Sequence, residues 1–415
     1  MSTSSIPQTI TQILTVNQHA YAKLLGYRIQ MVLAYQIMAV AVGWHIYEIT
    51  HDTLSLGLIG LAEVIPYFAS ALFAGYAIDH YSRRWFAVLA AVMLFANGLT
   101  LTAIAAGYLQ ANSVFWIYAS IAFTGLARAF IAPSYSALMA IILPRESYVR
   151  AAGVGTSMFQ IGLVVGPALG GLLVGFAGKA VAYGVAVALC LSAAVTLTTL
   201  RVKEPPPAET APVFASIAQG LSFVWNSQVL FSAQMLDMFA VLLGGAVAML
   251  PAFIHDVYHR GPEILGLMRA MPAIGAMLMA LYLARNPINL HAGRYLLWAV
   301  AGFGVSIICF GLTTQYWLAG LFLLVSGAFD GVSVVLRSTI MQLATPDDMR
   351  GRVSAINGVF IGSSNELGAF ESGVAARLLG LVPSVVFGGV MTLGVVAITA
   401  RFAPKLRNLE LHQLH

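Results

Sequence analysis

Residues 85–108 have the sequence WFAVLAAVMLFANGLTLTAIAAGY, which contains no charged side chain. A helix that crosses a lipid bilayer needs about 20 consecutive apolar residues, so this stretch predicts a membrane-spanning helix. The rest of the chain has the same character, because 59% of its 415 residues are hydrophobic, only 9% are charged and the mean hydropathy is +0.85. Soluble domains carry about 25% charged residues. The composition therefore argues against a soluble enzyme and for a multi-pass membrane protein.

Apolar stretches of this kind recur along the chain between charged residues, prolines and glycines. The polar residues before the first stretch lack the apolar core of a cleavable signal peptide, so we expect the first span to serve as an uncleaved membrane signal. The predicted fold class is an all-α membrane protein with twelve transmembrane helices. Their approximate limits are 25–49, 55–78, 85–108, 114–142, 152–176, 180–200, 229–254, 263–284, 294–313, 316–343, 352–379 and 384–402.

The basic residues are distributed unevenly between the two sides of the membrane. If the N-terminus is cytoplasmic, most of the 21 lysines and arginines lie in cytoplasmic segments, and only Lys179 and Arg260 lie in loops on the opposite side. The positive-inside rule requires this asymmetry. It predicts that both termini are cytoplasmic, and it explains the formal net charge of +5 without nucleic-acid binding.

A polar segment divides the predicted spans into two sets of six. Its prolines, Pro205, Pro206 and Pro207, oppose a helix, whereas residues 213–225 predict a short amphipathic helix at the membrane surface. We therefore predict three regions, namely an N-terminal six-helix half over 1–200, a cytoplasmic linker over 201–228 and a C-terminal six-helix half over 229–415.

The two halves are also related in sequence. One constant offset aligns five pairs of residues at matching places in their helices, namely Gly125 with Gly327, Pro144 with Pro346, Arg150 with Arg352, Gly166 with Gly368, and Gly171 with Gly373. Duplication of a six-helix unit is typical of secondary transporters, in which the substrate site lies between the repeats near the middle of the membrane. The sequence therefore favours a transporter over an unrelated helix bundle.

The loop after the second span contains Gly75, Asp79, Arg83 and Arg84 in the order Gly-x3-Asp-x3-Arg-Arg. A glycine lets two helices approach closely, and an aspartate accepts hydrogen bonds from the N-terminus of a facing helix. An ordinary positive-inside turn is the alternative interpretation. The order is similar to the signature loop of the major facilitator superfamily, and this resemblance implies a gating loop.

The fifth span carries a second motif, formed by Gly162, Gly166, Pro167, Gly170 and Gly171. Glycines four residues apart allow close helix packing, and the proline removes a backbone hydrogen bond. Chemistry alone predicts only a kinked and tightly packed helix. The motif resembles the antiporter motif of exporting members of the same superfamily, and this resemblance implies export.

Longer stretches resemble a bacterial exporter subgroup of that superfamily, the one that includes the enterobactin (siderophore) exporter. The chain departs from this subgroup at Arg128, where a small or polar residue is usual, and at Gln36, where many relatives carry an acid. The resemblance implies a major facilitator fold in a bacterial inner membrane. It rests on residues 43–50, 236–245, 330–339, 342–355 and 360–373.

Charged residues inside the predicted spans need an explanation, because each costs about 2.5–3.5 kcal/mol at the centre of a helix on insertion scales. A carboxyl group binds and releases a proton, so the acids are candidates for proton coupling. A buried charge network that holds the two halves in register is the alternative. The candidate coupling acids are Glu63, Asp237, Asp330, Glu366 and Glu371.

By the same resemblance, the first, fourth, seventh and tenth spans line a central cavity. Arginine side chains present forks of donors that suit carboxylate and catecholate oxygens, which favours an acidic substrate. If acids neutralise the arginines, the cavity instead suits apolar cations. The candidate cavity residues are Arg128, Arg337, Gln36, Tyr67 and Tyr135.

The sequence contains no Gly-x4-Gly-Lys-Ser/Thr loop, and His255 and His259 lie at a helix end, where a solvated pair is favoured over a metal site. We therefore expect no enzymatic activity, no metal and no cofactor. The predicted function is export of a siderophore or related metabolite by proton antiport, with the lipid bilayer, protons and the small molecule as partners of a monomer. Multidrug efflux is the alternative, and a transport-inactive sensor or scaffold is an alternative of another class.

Overall fold

The computed structural model describes residues 8–109, 111–144, 147–200, 202, 213–288, 290–346 and 349–411. Over these residues the regular secondary structure is helical and contains no β-strand. The predicted all-α fold class is therefore confirmed.

Six long helices precede the linker. The first begins at Gln8, well before the apolar span predicted over 25–49, because polar residues extend a helix as readily as apolar ones do. The helices are α1 (Gln8–Thr50), α2 (Thr53–His80), α3 (Arg83–Ala105), α4 (Ser113–Ile142), α5 (Tyr148–Ala177) and α6 (Lys179–Thr198).

The linker contains α7 (Val213–Asn226), where residues 213–225 predict an amphipathic helix; its position at the membrane surface stays a prediction. Residues 203–212, which include the three linker prolines, lie outside the described residues. The helices that follow are α8 (Gln228–Leu243), α9 (Leu250–Ala252), α10 (Pro262–Arg285), α11 (Ala292–Leu312), α12 (Tyr316–Ala344), α13 (Arg350–Leu379), α14 (Leu381–Phe402) and α15 (Pro404–Arg407).

Eleven candidate spans among the described residues are long and apolar enough to cross a membrane. They correspond to eleven of the twelve predicted spans, so the chain is a multi-pass membrane protein. The twelfth predicted span, 352–379, is the 30-residue helix α13. This helix has the length of a span but a more polar sequence, with Glu366, Glu371 and Arg377 in its second half.

The seventh predicted span, 229–254, is not one continuous helix. After α8 ends at Leu243, the chain forms a 3-10 turn over Ala246–Met249, the short α9 and a π-helical turn over Phe253–Val257. Glycine is a poor helix former, and the doublet Gly244-Gly245 stands at the break. A Cβ atom at Gly245 would lie 2.7 Å from the carbonyl oxygen of Gly368 in α13, so glycine permits this close approach.

The described residues form two compact units. The first unit contains the described parts of 1–38, 65–166 and 180–210, and the second contains those of 39–64, 167–179 and 211–415. Helices α1, α2 and α5 are each divided between the two units. The predicted division into halves over 1–200 and 229–415 stays a prediction.

In the first unit, α3 and α4 pack side by side. The side-chain amide of Asn97 donates a hydrogen bond of 2.6 Å to the hydroxyl of Thr124, and both residues are buried. The rings of Phe86 and Phe130 stack with their centroids 5.4 Å apart. These contacts hold α4 against α3, and α4 carries Arg128 and Tyr135, which are discussed below.

In the second unit, α8, α11 and α12 surround an apolar core that includes Leu236, Val300 and Leu336. The linker helix α7 joins this core through Val224, while its neighbour Trp225 is exposed. The core places the polar side chains of α8 and α12 opposite each other, and these form the candidate site.

Candidate functional site

A buried ion pair joins α8 to α12. The carboxylate of Asp237 lies 2.5 Å from the guanidinium of Arg337, and their side chains are 7% and 9% exposed. Arg337 also donates a hydrogen bond of 3.3 Å from Nε to the hydroxyl of Ser333, one helical turn earlier. A pair so fully removed from water is costly to keep, because desolvation opposes the attraction of the charges. Its presence in an apolar core therefore points to a function.

A second acid borders the same place. Asp330 lies on α12, two turns before Arg337, and lines a small cavity together with Asp237 and Ser333. The remaining walls are apolar and include Phe303 and Phe329. Of the five acids proposed for proton coupling, the structure brings Asp237 and Asp330 together. The arrangement places two carboxylates, either of which can bind and release a proton, near one guanidinium that stays charged.

The other three candidate acids lie on α2 and α13. The side chain of Glu63 is only 6% exposed. Glu366 and Glu371 are partly buried in α13, and the backbone carbonyl of Glu366 contacts α2 at Gly60. Their roles in proton coupling stay predictions.

Arg128 and Tyr67, two of the cavity candidates, lie together in the first unit. The guanidinium of Arg128 donates a hydrogen bond of 3.0 Å to the hydroxyl of Tyr35 in α1. It also stacks over two rings, 4.6 Å from the centroid of Tyr35 and 5.7 Å from that of Tyr67. Sequence reasoning missed Tyr35, although it adjoins the candidate Gln36.

The stem of Gln36 packs against the glycine motif of α5. A Cβ atom at Gly166 would lie 2.6 Å from the Cβ of Gln36, and Gly162 is in equally close contact with Val32. These glycines let α1 and α5 approach closely within the first unit. The predicted close packing of the motif is therefore present at its first two glycines.

Tyr135, the remaining cavity candidate, is a buried ring in α4. Its partner is Arg28 of α1, whose guanidinium carbon lies 4.1 Å from the ring centroid. Sequence reasoning assigned Arg28 to the cytoplasmic side as one more basic residue and missed this contact. The available signal was that Arg28 falls within the predicted first span, while the fourth span carries Tyr135, whose ring can contact a guanidinium.

The predicted gating loop is described only in part. Gly75 and Asp79 belong to the last two turns of α2, and their side chains lie outside the described residues. Arg84, at the start of α3, donates a hydrogen bond of 2.7 Å to the backbone carbonyl of Leu200, and its guanidinium lies 5.1 Å from the ring centroid of Trp85. The gating role of this loop, including that of Arg83, stays a prediction.

Two contacts between glycines in the second unit join helices at corresponding positions of the sequence repeat. Gly171 of α5 faces Gly266 of α10, and Gly57 of α2 faces Gly373 of α13. Gly57 and Gly266 are each the fifth residue of their helices, while Gly171 and Gly373 are aligned by the sequence repeat. A Cβ atom at Gly171 would lie 2.5 Å from the Cα of Gly266, so the backbones touch. Gly170 is buried beside this contact.

The two histidines of the His-x3-His pair make separate contacts. Nδ1 of His255 lies 2.7 Å from the carboxylate of Asp256, whereas Nδ1 of His259 lies 3.2 Å from the backbone carbonyl of His255. In the described part of the chain, no three histidine, cysteine, aspartate or glutamate side chains form a group that holds a metal ion.

The chain is similar to membrane transporters over most of its length. The family model described as Major Facilitator Superfamily matches residues 27–369. The multidrug efflux pump Tap of Mycolicibacterium fortuitum is 25% identical over 391 residues, which are 90% of this chain and 93% of the pump. The enterobactin exporter EntS of Citrobacter koseri is 24% identical over 364 residues, which are 87% of this chain and 86% of the exporter.

A solved structure supports the fold. It is that of a bacterial homologue of the human lysosomal transporter Spinster, in an inward-facing and unoccupied conformation. The two chains are 15% identical, with a TM-score of 0.71, and the alignment covers 97% of this chain and 99% of the homologue. The fold that the sequence predicts is therefore confirmed.

Proposed function

The chain belongs to the Major Facilitator Superfamily and is therefore a membrane transporter, and we propose that it exports a small molecule from the cytoplasm in exchange for protons. Two of its relatives are an enterobactin exporter and a multidrug efflux pump, which supports export as the direction. We further propose that the protein lies in a bacterial inner membrane as a monomer with both termini in the cytoplasm. The antiporter-type glycine motif in α5 agrees with this direction.

The observation that carries the coupling proposal is the buried charge group formed by Asp237, Arg337 and Asp330. Carboxylates buried in a membrane protein are rare and typically mark proton pathways. Protonation of Asp237 would release Arg337 toward Asp330, and deprotonation would restore the first pair. Such an exchange of partners links proton binding to a change in how α8 and α12 are held.

For the substrate we propose a siderophore or a related acidic metabolite, and the alternative is an apolar drug. The ion pair with Asp237 neutralises Arg337, which weakens the contribution of that arginine to anion binding. Arg128 donates a hydrogen bond to the hydroxyl of Tyr35. We propose Arg128 as a candidate for recognising an acidic group, because its guanidinium presents a fork of donors.

Transport by purified protein in inside-out vesicles tests the proposal. An acidic lumen is expected to drive accumulation of enterobactin, and collapse of the pH gradient is expected to stop it. Accumulation of ethidium but not enterobactin would favour the multidrug alternative. Vesicles that accumulate neither compound under any gradient would favour a sensor or scaffold and would contradict the proposal.

We expect the two cavity arginines to respond differently to substitution. Arg128→Gln should reduce enterobactin transport about tenfold or more and leave ethidium transport unchanged, since a lost bidentate contact affects only the acid. Arg337→Gln should reduce transport of both compounds, because it leaves Asp237 buried without its partner. The two initial rates, measured side by side in the same vesicles, check this difference. Full enterobactin transport by Arg128→Gln would exclude Arg128 as the anion site.

The gating role proposed for the loop after α2 leads to a separate prediction. Asp79→Asn is expected to leave the protein folded and inserted but to slow transport about tenfold or more, since a neutral amide loses charge-assisted hydrogen bonds to a facing helix N-terminus. Glu410→Gln, in the C-terminal tail, is the control and should transport normally. Wild-type transport rates in Asp79→Asn vesicles would rule out the gating role of Asp79.

A further inference from the structure

Arg28 lies inside α1, away from the polar N-terminal end of that helix. It precedes Thr50, the last residue of α1, by about 22 residues, which is about 33 Å at the rise of an α-helix. The hydrocarbon core of a bilayer is about 30 Å thick. In the proposed orientation, Arg28 therefore lies at the inner edge of the membrane, on the side from which an exported molecule arrives.

Aromatic rings hold the guanidinium of Arg28 in place. Its central carbon lies 4.1 Å from the ring centroid of Tyr135 in α4 and 5.4 Å from that of Phe159 in α5. The ring of Tyr135 is 4% exposed, and its hydroxyl is in tight contact with Gly155 of α5. Contact with these rings engages the guanidinium carbon, and it does not by itself satisfy the N–H donors of the group.

The surrounding helices are also tied together at this level. The hydroxyl of Tyr21, two turns before Arg28 in α1, donates a hydrogen bond of 2.8 Å to the backbone carbonyl of Ala151 in α5. The arginine is thus fixed by three helices of the first unit, α1, α4 and α5. A fixed guanidinium loses little freedom when it binds a ligand, which favours binding.

The charge of Arg28 has no acidic counterpart among the described side chains of its own unit. None of the side chains that the structure describes in the first unit is acidic. In addition, Nε of Arg28 is buried and has no hydrogen-bond partner. Arg337 is the opposite case, since Asp237 neutralises it at 2.5 Å. A buried donor on a charged group is costly to leave unbonded, and an anionic oxygen would satisfy both the donor and the charge.

We infer that Arg28, stacked on Tyr135 and Phe159, is a binding subsite for an anionic oxygen group, and that it receives the acid group of the transported molecule at the cytoplasmic side. The inference rests on the proposed function and adds to it a place where the acid group of the substrate, a carboxylate or catecholate, is bound. The headgroup of an anionic lipid has the same chemistry, and the experiment separates the two sources.

Binding to the purified full-length protein in nanodiscs of phosphatidylcholine tests the subsite. The probe is 2,3-dihydroxybenzoate, a small acid with carboxylate and catechol oxygens, and its affinity is measured by calorimetry. Arg28→Met should weaken binding about tenfold or more, and Arg28→Lys should weaken it less, since lysine keeps the charge but not the fork of donors. Tetraphenylphosphonium should bind all variants equally.

Lys23→Met is the matched control. Lys23 is a neighbouring cation of α1 whose ammonium donates a hydrogen bond of 3.0 Å to the hydroxyl of Thr199. Removing this ammonium should leave the affinity for the acid unchanged. If Arg28→Met does not fold, Arg28→Lys carries the test, because it retains the charge within the stack of rings. Equal affinities of wild type and a folded Arg28 variant would overturn the inference, as would failure of the wild type to bind the acid.

A second set of nanodiscs, containing phosphatidylglycerol, distinguishes solute from lipid. Unchanged affinity for 2,3-dihydroxybenzoate supports a solute subsite. Loss of binding in phosphatidylglycerol would mean that Arg28 holds a lipid headgroup, and it would overturn the inference. Because binding in nanodiscs needs no transport, its failure leaves proton-driven export standing, whereas binding without transport in vesicles would count against the proposed function alone.

Discussion

Replacing Asp237 with asparagine is expected to abolish transport driven by a pH gradient, with a loss of about tenfold or more in initial rate. The amide keeps the shape of the side chain but cannot release a proton. Substrate exchange without a gradient should continue, because it requires the protein to bind and reorient but not to carry protons. Measuring both activities in the same vesicles therefore separates a coupling acid from a residue that merely supports the fold.

Stability provides the control for this variant. Removing one partner of a buried ion pair costs about 3–5 kcal/mol, because the other charge loses its direct partner in an apolar core. The double variant Asp237→Asn with Arg337→Gln removes both charges, so it should melt at a higher temperature than Asp237→Asn and still lack coupling. If Asp237→Asn and Glu63→Gln both retain full proton-driven transport, the proton is carried elsewhere, and Asp330 and Glu366 are then the next acids to replace.

Replacing Gly171 with leucine is expected to reduce transport about tenfold or more while the protein still inserts into the membrane. A Cβ atom at this position would lie 2.5 Å from the Cα of Gly266, so a leucine side chain cannot fit between α5 and α10. We propose that this contact closes the outer side in the proposed orientation, so the substitution should favour a conformation that is open there. Gly57→Leu, at the repeat-related contact with Gly373, should have the same effect.

Chemical labelling measures this opening directly. Ala270 is buried in α10, one turn after Gly266. In a protein whose Cys190 and Cys309 are replaced by alanine, Ala270→Cys should react with an impermeant maleimide faster when Gly171→Leu is present. Gly184→Leu is the matched control, because no heavy atom lies within 4 Å of a Cβ built at Gly184. Wild-type transport by Gly171→Leu would show that the glycine contact is not needed for the cycle.

Hydropathy predicts the spans well because each depends only on the residues within it. The limits of α4, predicted over 114–142 and observed as Ser113–Ile142, illustrate this. Hydropathy cannot predict the break after Leu243, which depends on how closely Gly245 approaches α13. The glycine doublet was the local signal, but a doublet such as Gly388-Gly389 lies within a continuous helix, α14. Neighbours in space decide between the two outcomes.

The candidate site shows the same limit. The cost of burying a charge singles out Asp237 and Arg337 as functional candidates, but it does not pair them, since they lie on helices far apart in the sequence. Arg28 was overlooked for the opposite reason. Basic residues near the start of a span are so common that the positive-inside rule accounts for them, and only the packing of α1 against α4 and α5 reveals its stack with Tyr135.

The break after Leu243 also affects how backbone hydrogens exchange with solvent. Helix α8 has 16 residues and is therefore about 24 Å long, which is shorter than the hydrocarbon core. The chain completes the crossing through a 3-10 turn and a π turn, whose hydrogen bonds are less regular than those of an α-helix. Local opening requires less free energy where fewer regular hydrogen bonds must break. In deuterated water, the amides of residues 244–249 should thus exchange before those of residues 232–240. Residues 244–249 are then the part of the seventh span that opens most readily.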